Sequence, residues 1–191
     1  MREAKISRKT NETNVQVYLN LDGGEIAVDT GLGFFDHMLE AFAKHSGFGL
    51  AVKVSGDLKV DCHHTVEDTG IVLGTAFATA VGDKRGICRY GTAYIPMDEA
   101  LGFASVDVSG RPFLVYDAEM PQEIIGEYDS CITAEFMRAF CYNALITAHI
   151  ICQYGDNAHH ITEALYKALA HALKDAVRCE GSDILSTKGV I

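Results

Sequence analysis

The stretch DCHHTVEDTG, residues 61–70, is answered by NAHHITEALY, residues 157–166, and this pair decides how the chain is read. Each stretch carries two adjacent histidines with a glutamate three residues after the second. Sliding the chain by 96 residues superposes His63 on His159, His64 on His160 and Glu67 on Glu163, then Leu73 on Leu169, Ala76 on Ala172, Ala80 on Ala176 and Val81 on Val177. Seven identities in a window of nineteen exceed coincidence, and both windows space their apolar residues as a helix does. A helix that occurs twice implies that its surroundings occur twice.

Outward from the first copy, NVQVYLNL (14–21) alternates apolar and polar residues, DGG turns the chain and EIAVDT (25–30) returns, the pattern of a β-hairpin. Phe35, Met38, Leu39 and Phe42 form one stripe of a helix that Gly47 should end. LAVKVSGDLKV (50–60) reads as a strand and leads into the His-His helix, which runs to Gly82. The second copy keeps the order. LGFASVDVSGRPFLVYDAEM (101–120) supplies two strands around a Ser-Gly-Arg-Pro turn, AEFMRAFCYNALI a helix, TAHIICQY a strand and HHITEALYKALAHALKDAV a long helix. The expected fold is α+β, an internal duplication of a strand-strand-helix-strand-helix unit with two sheets packed around helices. Residues 1–92 form the first pseudo-repeat and 93–191 the second, together one compact unit, since two copies are too few for a solenoid.

Composition narrows the function. With 191 residues and 48% hydrophobic content the chain can bury a substantial core. A formal net charge of -10 opposes wrapping by nucleic acid. There is no apolar run of membrane-span length, and MREAKISRKT lacks the apolar stretch of a secretory signal. A cytoplasmic protein with neither nucleic-acid nor membrane partner is expected. Its six cysteines show no CxxC pair, so reduced thiols are expected too.

On a helix, Glu67 lies within reach of either His63 or His64, which makes a metal chelate feasible. Neighbouring helical residues diverge by about 100°. The two histidines of each pair should therefore serve two different ions or two different subunits. Imidazole with carboxylate suits Mn, Fe or Zn better than Ca or Mg. The bland alternative is a solvated helix face, but a duplicated core would preserve Leu and Ala, not exposed imidazoles. Neither HExxH nor HxxEH is present, which argues against a zinc peptidase.

GLGFFDHMLEAFAKH, DCHHTVEDTG, HHITEALYKALAHAL and the C-terminal STKG, together with RKTNET at 8–13, resemble imidazoleglycerol-phosphate dehydratase, a family of histidine biosynthesis. The resemblance spans nearly the whole chain and implies a ribosomal S5 domain 2-like fold. It also implies a hydro-lyase that converts imidazole glycerol phosphate to imidazole acetol phosphate. Two divalent metal ions per active site, Mn2+ foremost, would lie at sites shared within a homo-oligomer of 24 subunits built from trimers. Carried over by position, the metal ligands are His37, His63, His64, Glu67, Glu135, His159, His160 and Glu163. Family members often have a histidine where this chain has Glu135, which an offset of 98 pairs with His37, and an acidic residue where it has Cys62.

The implied chemistry needs the ions. Dehydration removes a weakly acidic proton from the carbon attached to the imidazole ring and then expels hydroxide from the next carbon. Holding the ring as imidazolate between two cations would stabilise the electron-rich, diazafulvene-like intermediate. Glu67 and Glu163, with Glu12 and His45, are the candidates for proton transfer or substrate positioning. Glu12 could instead be a solvated residue before a strand, and His45 a cap on the helix ending at Gly47. The resemblance places Arg89, Arg111, Lys167, Ser186 and Lys188 around the substrate's phosphate, donors suited to that group. Two rivals remain: a metal-binding cage of the storage or ferroxidase type without dehydratase activity, and a protein that uses metal only as a structural staple.

Overall fold

The computed structural model describes residues 2–189. Its first half comprises β1 (Glu3–Lys9), β2 (Thr13–Asn20), β3 (Ile26–Asp29), α1 (Gly33–Ser46), β4 (Gly49–Gly56) and α2 (His63–Val81). The second comprises β5 (Tyr90–Met97), β6 (Ala100–Asp107), β7 (Phe113–Asp117), a hairpin of β8 (Ile124–Ile125) and β9 (Tyr128–Asp129), then α3 (Thr133–Asn143), β10 (Thr147–Tyr154) and α4 (Ala158–Ala176). The main sheets run β1-β2-β4-β3 and β5-β6-β10-β7. In each, the last strand pairs in parallel and the other pairs are antiparallel. The α+β class, two sheets and four helices match the expectation, and both halves share one topology.

Two details differ. Each half begins with a strand that the sequence reading passed over, so the repeated order is strand-strand-strand-helix-strand-helix. The hairpin anticipated over residues 14–30 is not one, and the two strands of 101–120 do not pair either. β2 and β3 lie on opposite sides of β4, and β6 and β7 on opposite sides of β10. The actual hairpin partners are β1 for β2 and β5 for β6. β1 hid because it is a charged edge strand whose inward positions carry only two apolar residues, Ala4 and Ile6, beside Arg8, which turns in to pair with Asp68. β5 hid behind Gly91 and Pro96. A Cβ at Gly91 would sit 1.9 Å from the Ala172 carbonyl, so the glycine lets the strand meet α4, and proline is tolerated because β5 is an edge strand. Tyr90–Met97 also spans the division expected at residue 92.

The helices lie between the sheets. α2 packs on β1 and β2, and α4 on β5 and β6, while α2 meets α3 and α1 meets α4. Alternation directs Val15, Val17 and Leu19 of β2 inward. Phe35, Phe42, Phe77, Phe136 and Phe140 interlock at the centre, with Phe35 edge-on to Phe136 at 5.5 Å. Truncating Phe136, which is fully buried, to alanine should cost roughly 3–5 kcal/mol. A Cβ at Gly74 would lie 2.4 Å from the Phe140 carbonyl, so glycine permits the close α2–α3 contact. That contact and its α1–α4 counterpart bring the polar helix starts together.

Candidate metal centres and phosphate cleft

The duplicated histidines open their helices. His63 starts α2, its N–H donating to Asp61 Oδ1 at 2.8 Å. In α4, Asn157 caps the helix by accepting the His160 N–H at 3.1 Å. His37 and Glu135 lie near the beginnings of α1 and α3. Helix N-termini carry partial positive charge. A cation held there needs carboxylates to offset it.

Two clusters result, each joining the first helix of one half to the second helix of the other. His37 of α1 meets His159 and Glu163 of α4, with their ligand atoms all within 4.8 Å of one another. Glu163 Oε2 lies 3.2 Å from His159 Nε2 and 3.6 Å from His37 Nε2. Glu135 of α3 meets His63 and Glu67 of α2 within the same limit, with His63 Nε2 3.6 Å from Glu67 Oε2. Donors that share one transition-metal ion at about 2.1 Å stand roughly 3–3.5 Å apart at angles of 90–110°. The donor chemistry fits a divalent ion, and the His159–Glu163 separation of 3.2 Å already lies in that range. The anticipated substitute Glu135 thus occupies the position that His37 occupies in the other cluster.

A basic side chain accompanies each cluster. Lys167 Nζ lies 2.5 Å from Glu163 Oε1. Arg138 binds Glu67 at 3.2 Å and also Glu135. Glu163 is nearly inaccessible, with 8% of its side chain exposed. Burial opposes its ionisation, but Lys167, His37 and His159 outweigh that effect and hold its carboxyl below the usual range.

His64 and His160 join neither cluster, as the angular argument required. Their rings lie 6.0 and 5.9 Å from those of His63 and His159 and are steeply inclined to them. His64 Nδ1 is 3.0 Å from Asp57 Oδ2, and its Nε2 is 3.8 Å from Glu12 Oε1. His160 Nδ1 is 2.7 Å from Glu99 Oε2, and its Nε2 is 3.6 Å from Asp98 Oδ2. Hydrogen bonds donated to Asp57 and Glu99 raise the two imidazole pKa values, and the one from His160 brings the Glu99 carboxyl down to about 2. A carboxylate at Nδ1 fixes the ring and leaves Nε2, beside Glu12 in one case and Asp98 in the other, as the second nitrogen, the usual support for a ligating histidine.

His45 faces a cleft of about 450 Å³ lined by His37, Lys44, Glu163 and Lys167. It does not cap its helix, since Gly47, at φ 76°, closes α1 through its own N–H. The His45 Nδ1 instead pairs with His171 Nε2 at 3.0 Å. Burial, then the charges of Lys167 and His171, push its pKa down. Glu12 is more than half exposed and sits on the β1–β2 turn beside His64.

The cations divide. Arg89, Arg111, Ser186 and Lys188 line one cleft of about 590 Å³, while Lys167 belongs to the His37–His45 cleft. Arg89, at φ 70°, binds Asp107 at 2.7 Å and the Leu185 carbonyl at 2.6 Å, tying the tail to the start of β5. Val190 and Ile191 of that tail lie outside the described residues. Cys62 is a buried free thiol at the head of α2.

Asp57, Glu99, Arg138 and His171 escaped the sequence reading. Glu99 had a readable signal, because it occupies the β5–β6 turn as Glu12 occupies the β1–β2 turn. Without β1 and β5 that equivalence stayed hidden.

Comparison with known proteins agrees with the motif reading. The family model for imidazoleglycerol-phosphate dehydratase matches residues 30–173. The dehydratase of that name from Acetivibrio thermocellus is 50% identical over 100% of this chain and 99% of its own, and that from Gluconobacter oxydans is 54% identical over 100% and 98%. The crystal structure of the Staphylococcus aureus dehydratase superposes with a TM-score of 0.85 at 38% identity, covering 93% of this chain and 99% of that one. The Pyrococcus furiosus structure, in complex with (S)-C348, gives 0.85 at 35% identity, covering 97% and 100%. With its duplicated topology, its paired His/carboxylate clusters and full-length relatives all in agreement, the chain belongs to the imidazoleglycerol-phosphate dehydratase family of hydro-lyases.

Proposed function

We propose that this chain dehydrates imidazole glycerol phosphate to imidazole acetol phosphate in histidine biosynthesis, in the cytoplasm, with two divalent ions per active site, Mn2+ foremost. The observation that carries the reading is the coexistence of two His/carboxylate clusters with a separate cleft lined by Arg89, Arg111, Ser186 and Lys188. A storage cage or a metal staple has no use for that cleft. No helix among the described residues is long and apolar enough to cross a membrane.

His37, His159 and Glu163 would hold one ion and His63, Glu67 and Glu135 the other, with His64 and His160 offering Nε2 to ions held by neighbouring chains. When bound, the ions supply positive charge that stabilises the substrate's imidazole ring as it becomes anionic. Arg89, Arg111 and Lys188 bind the phosphate and orient the substrate's carbon chain. His45 Nδ1 is engaged by His171, so Nε2 is the atom that can exchange a proton with a ligand in the cleft. Glu12 Oε1 is the corresponding atom beside His64. The distribution of these groups over separate surfaces of one chain supports active sites completed between subunits, in the 24-subunit assembly of trimers that the family resemblance implies. Turnover tests the reading: chelator-treated protein should convert imidazole glycerol phosphate to the keto product only after Mn2+ is restored. Tight metal binding without any turnover would favour the storage alternative.

A further inference from the structure

The two clusters occupy equivalent places in the duplicated topology but differ in donors. One presents two imidazoles and a carboxylate, the other one imidazole and two carboxylates. The difference lies at a single equivalent pair, His37 on α1 and Glu135 on α3. Their surroundings reinforce it. Glu163 is nearly buried and gives its second oxygen to Lys167, whereas Glu67 and Glu135 keep about a third of their side chains exposed and share Arg138. Imidazole nitrogen favours ions late in the Irving–Williams order, such as zinc, while carboxylate oxygen favours harder ions such as manganese. Arg138 further competes with any incoming cation for the oxygens of Glu67 and Glu135.

We propose, building on the two-metal reading above, that the two centres are unequal in metal selectivity. The His37–His159–Glu163 centre takes zinc-like ions strongly, and Glu135 makes the His63–Glu67–Glu135 centre a harder, manganese-selective one. Glu135 is thus a specificity-determining residue for the metal.

The test uses the assembled full-length protein loaded with Mn2+ and titrated with Zn2+, with released aqueous Mn2+ followed by electron paramagnetic resonance and bound metals counted by mass spectrometry. Manganese should leave in two steps whose zinc midpoints differ by about tenfold or more. Glu135→His should merge both steps at the lower midpoint, and the reciprocal His37→Glu should merge them at the upper. A single step in the unmodified protein, or two steps unmoved by Glu135→His, would overturn the proposal. Failure to bind any Mn2+ at the outset would instead sink the two-metal reading on which it rests.

Discussion

The α1–α4 and α2–α3 helix pairs are the same construction made twice, and they diverge at their polar ends. Both bring a His-x-x-x-Glu pair on the second helix of one half against a single candidate ligand on the first helix of the other. In the α1–α4 pair that ligand is His37, and the carboxylate opposite is buried against Lys167. In the α2–α3 pair it is Glu135, and Arg138 spans both carboxylates. Gly74 sets the close α2–α3 contact, and Phe35 and Phe136 join the two pairs at the centre. The two halves thus share a topology while the polar residues at their helix starts differ.

The largest expected effect treats the halves as equals. His64→Ala and His160→Ala should each lower kcat by roughly 10²–10³-fold or more, because both outward imidazoles are needed to complete the paired centres. Near-normal turnover in either variant at full metal occupancy would break the equivalence. The tail belongs to one half only, so Lys188→Ala, or removal of STKGVI, should raise KM about 10–100-fold while bound metal stays constant. Unchanged KM would remove the tail from the site.

The supporting carboxylates sharpen the contrast. Asp57→Asn and Glu99→Gln should each weaken metal binding by about 10–100-fold. The loss should be greater for Glu99→Gln, whose partner distance is 2.7 Å against 3.0 Å, and equilibrium dialysis would rank them. The smallest effect concerns His45, whose folded pKa lies below its ordinary 6.5. A histidine depressed on folding penalises the native state only where the unfolded chain is protonated. Stability should decline as pH falls from about 6.5 toward the depressed value. His171→Ala, which removes one of the charges facing His45 alongside Lys167, Lys174 and Glu163, should soften that decline in denaturation midpoints measured across pH. An unchanged slope would show that His171 does not govern the protonation of His45.

Much of this comparison was legible in the chain. The offset of 96 marked the two matching helices, and the angle between adjacent helical residues separated His63 from His64. The stop at Gly47 also held. Strand pairing was less legible. Alternation marks β2 and β3 as strands but is silent on the insertion of β4 between them, a nonlocal choice set by packing. Missing β1 and β5 also concealed Glu99, because its meaning rests on its place in a turn between strands. Arg138, Asp57 and His171 carry no local signature, since an isolated charged or imidazole residue on a helix or turn reads as solvated until a distant partner is placed beside it.

The central claim is that metal both completes the active sites and joins the chains that share them, so assembly and turnover should rise and fall together. Sedimentation velocity of one preparation, before chelation, after complete metal removal and after return of Mn2+, with imidazole glycerol phosphate turnover assayed on each sample, tests it most directly. The account predicts a large active particle, smaller inactive oligomers without metal, and recovery of both size and activity on reconstitution. An apoprotein that kept its full size would contradict metal-linked assembly, and one that kept its full activity would contradict the metal chemistry itself.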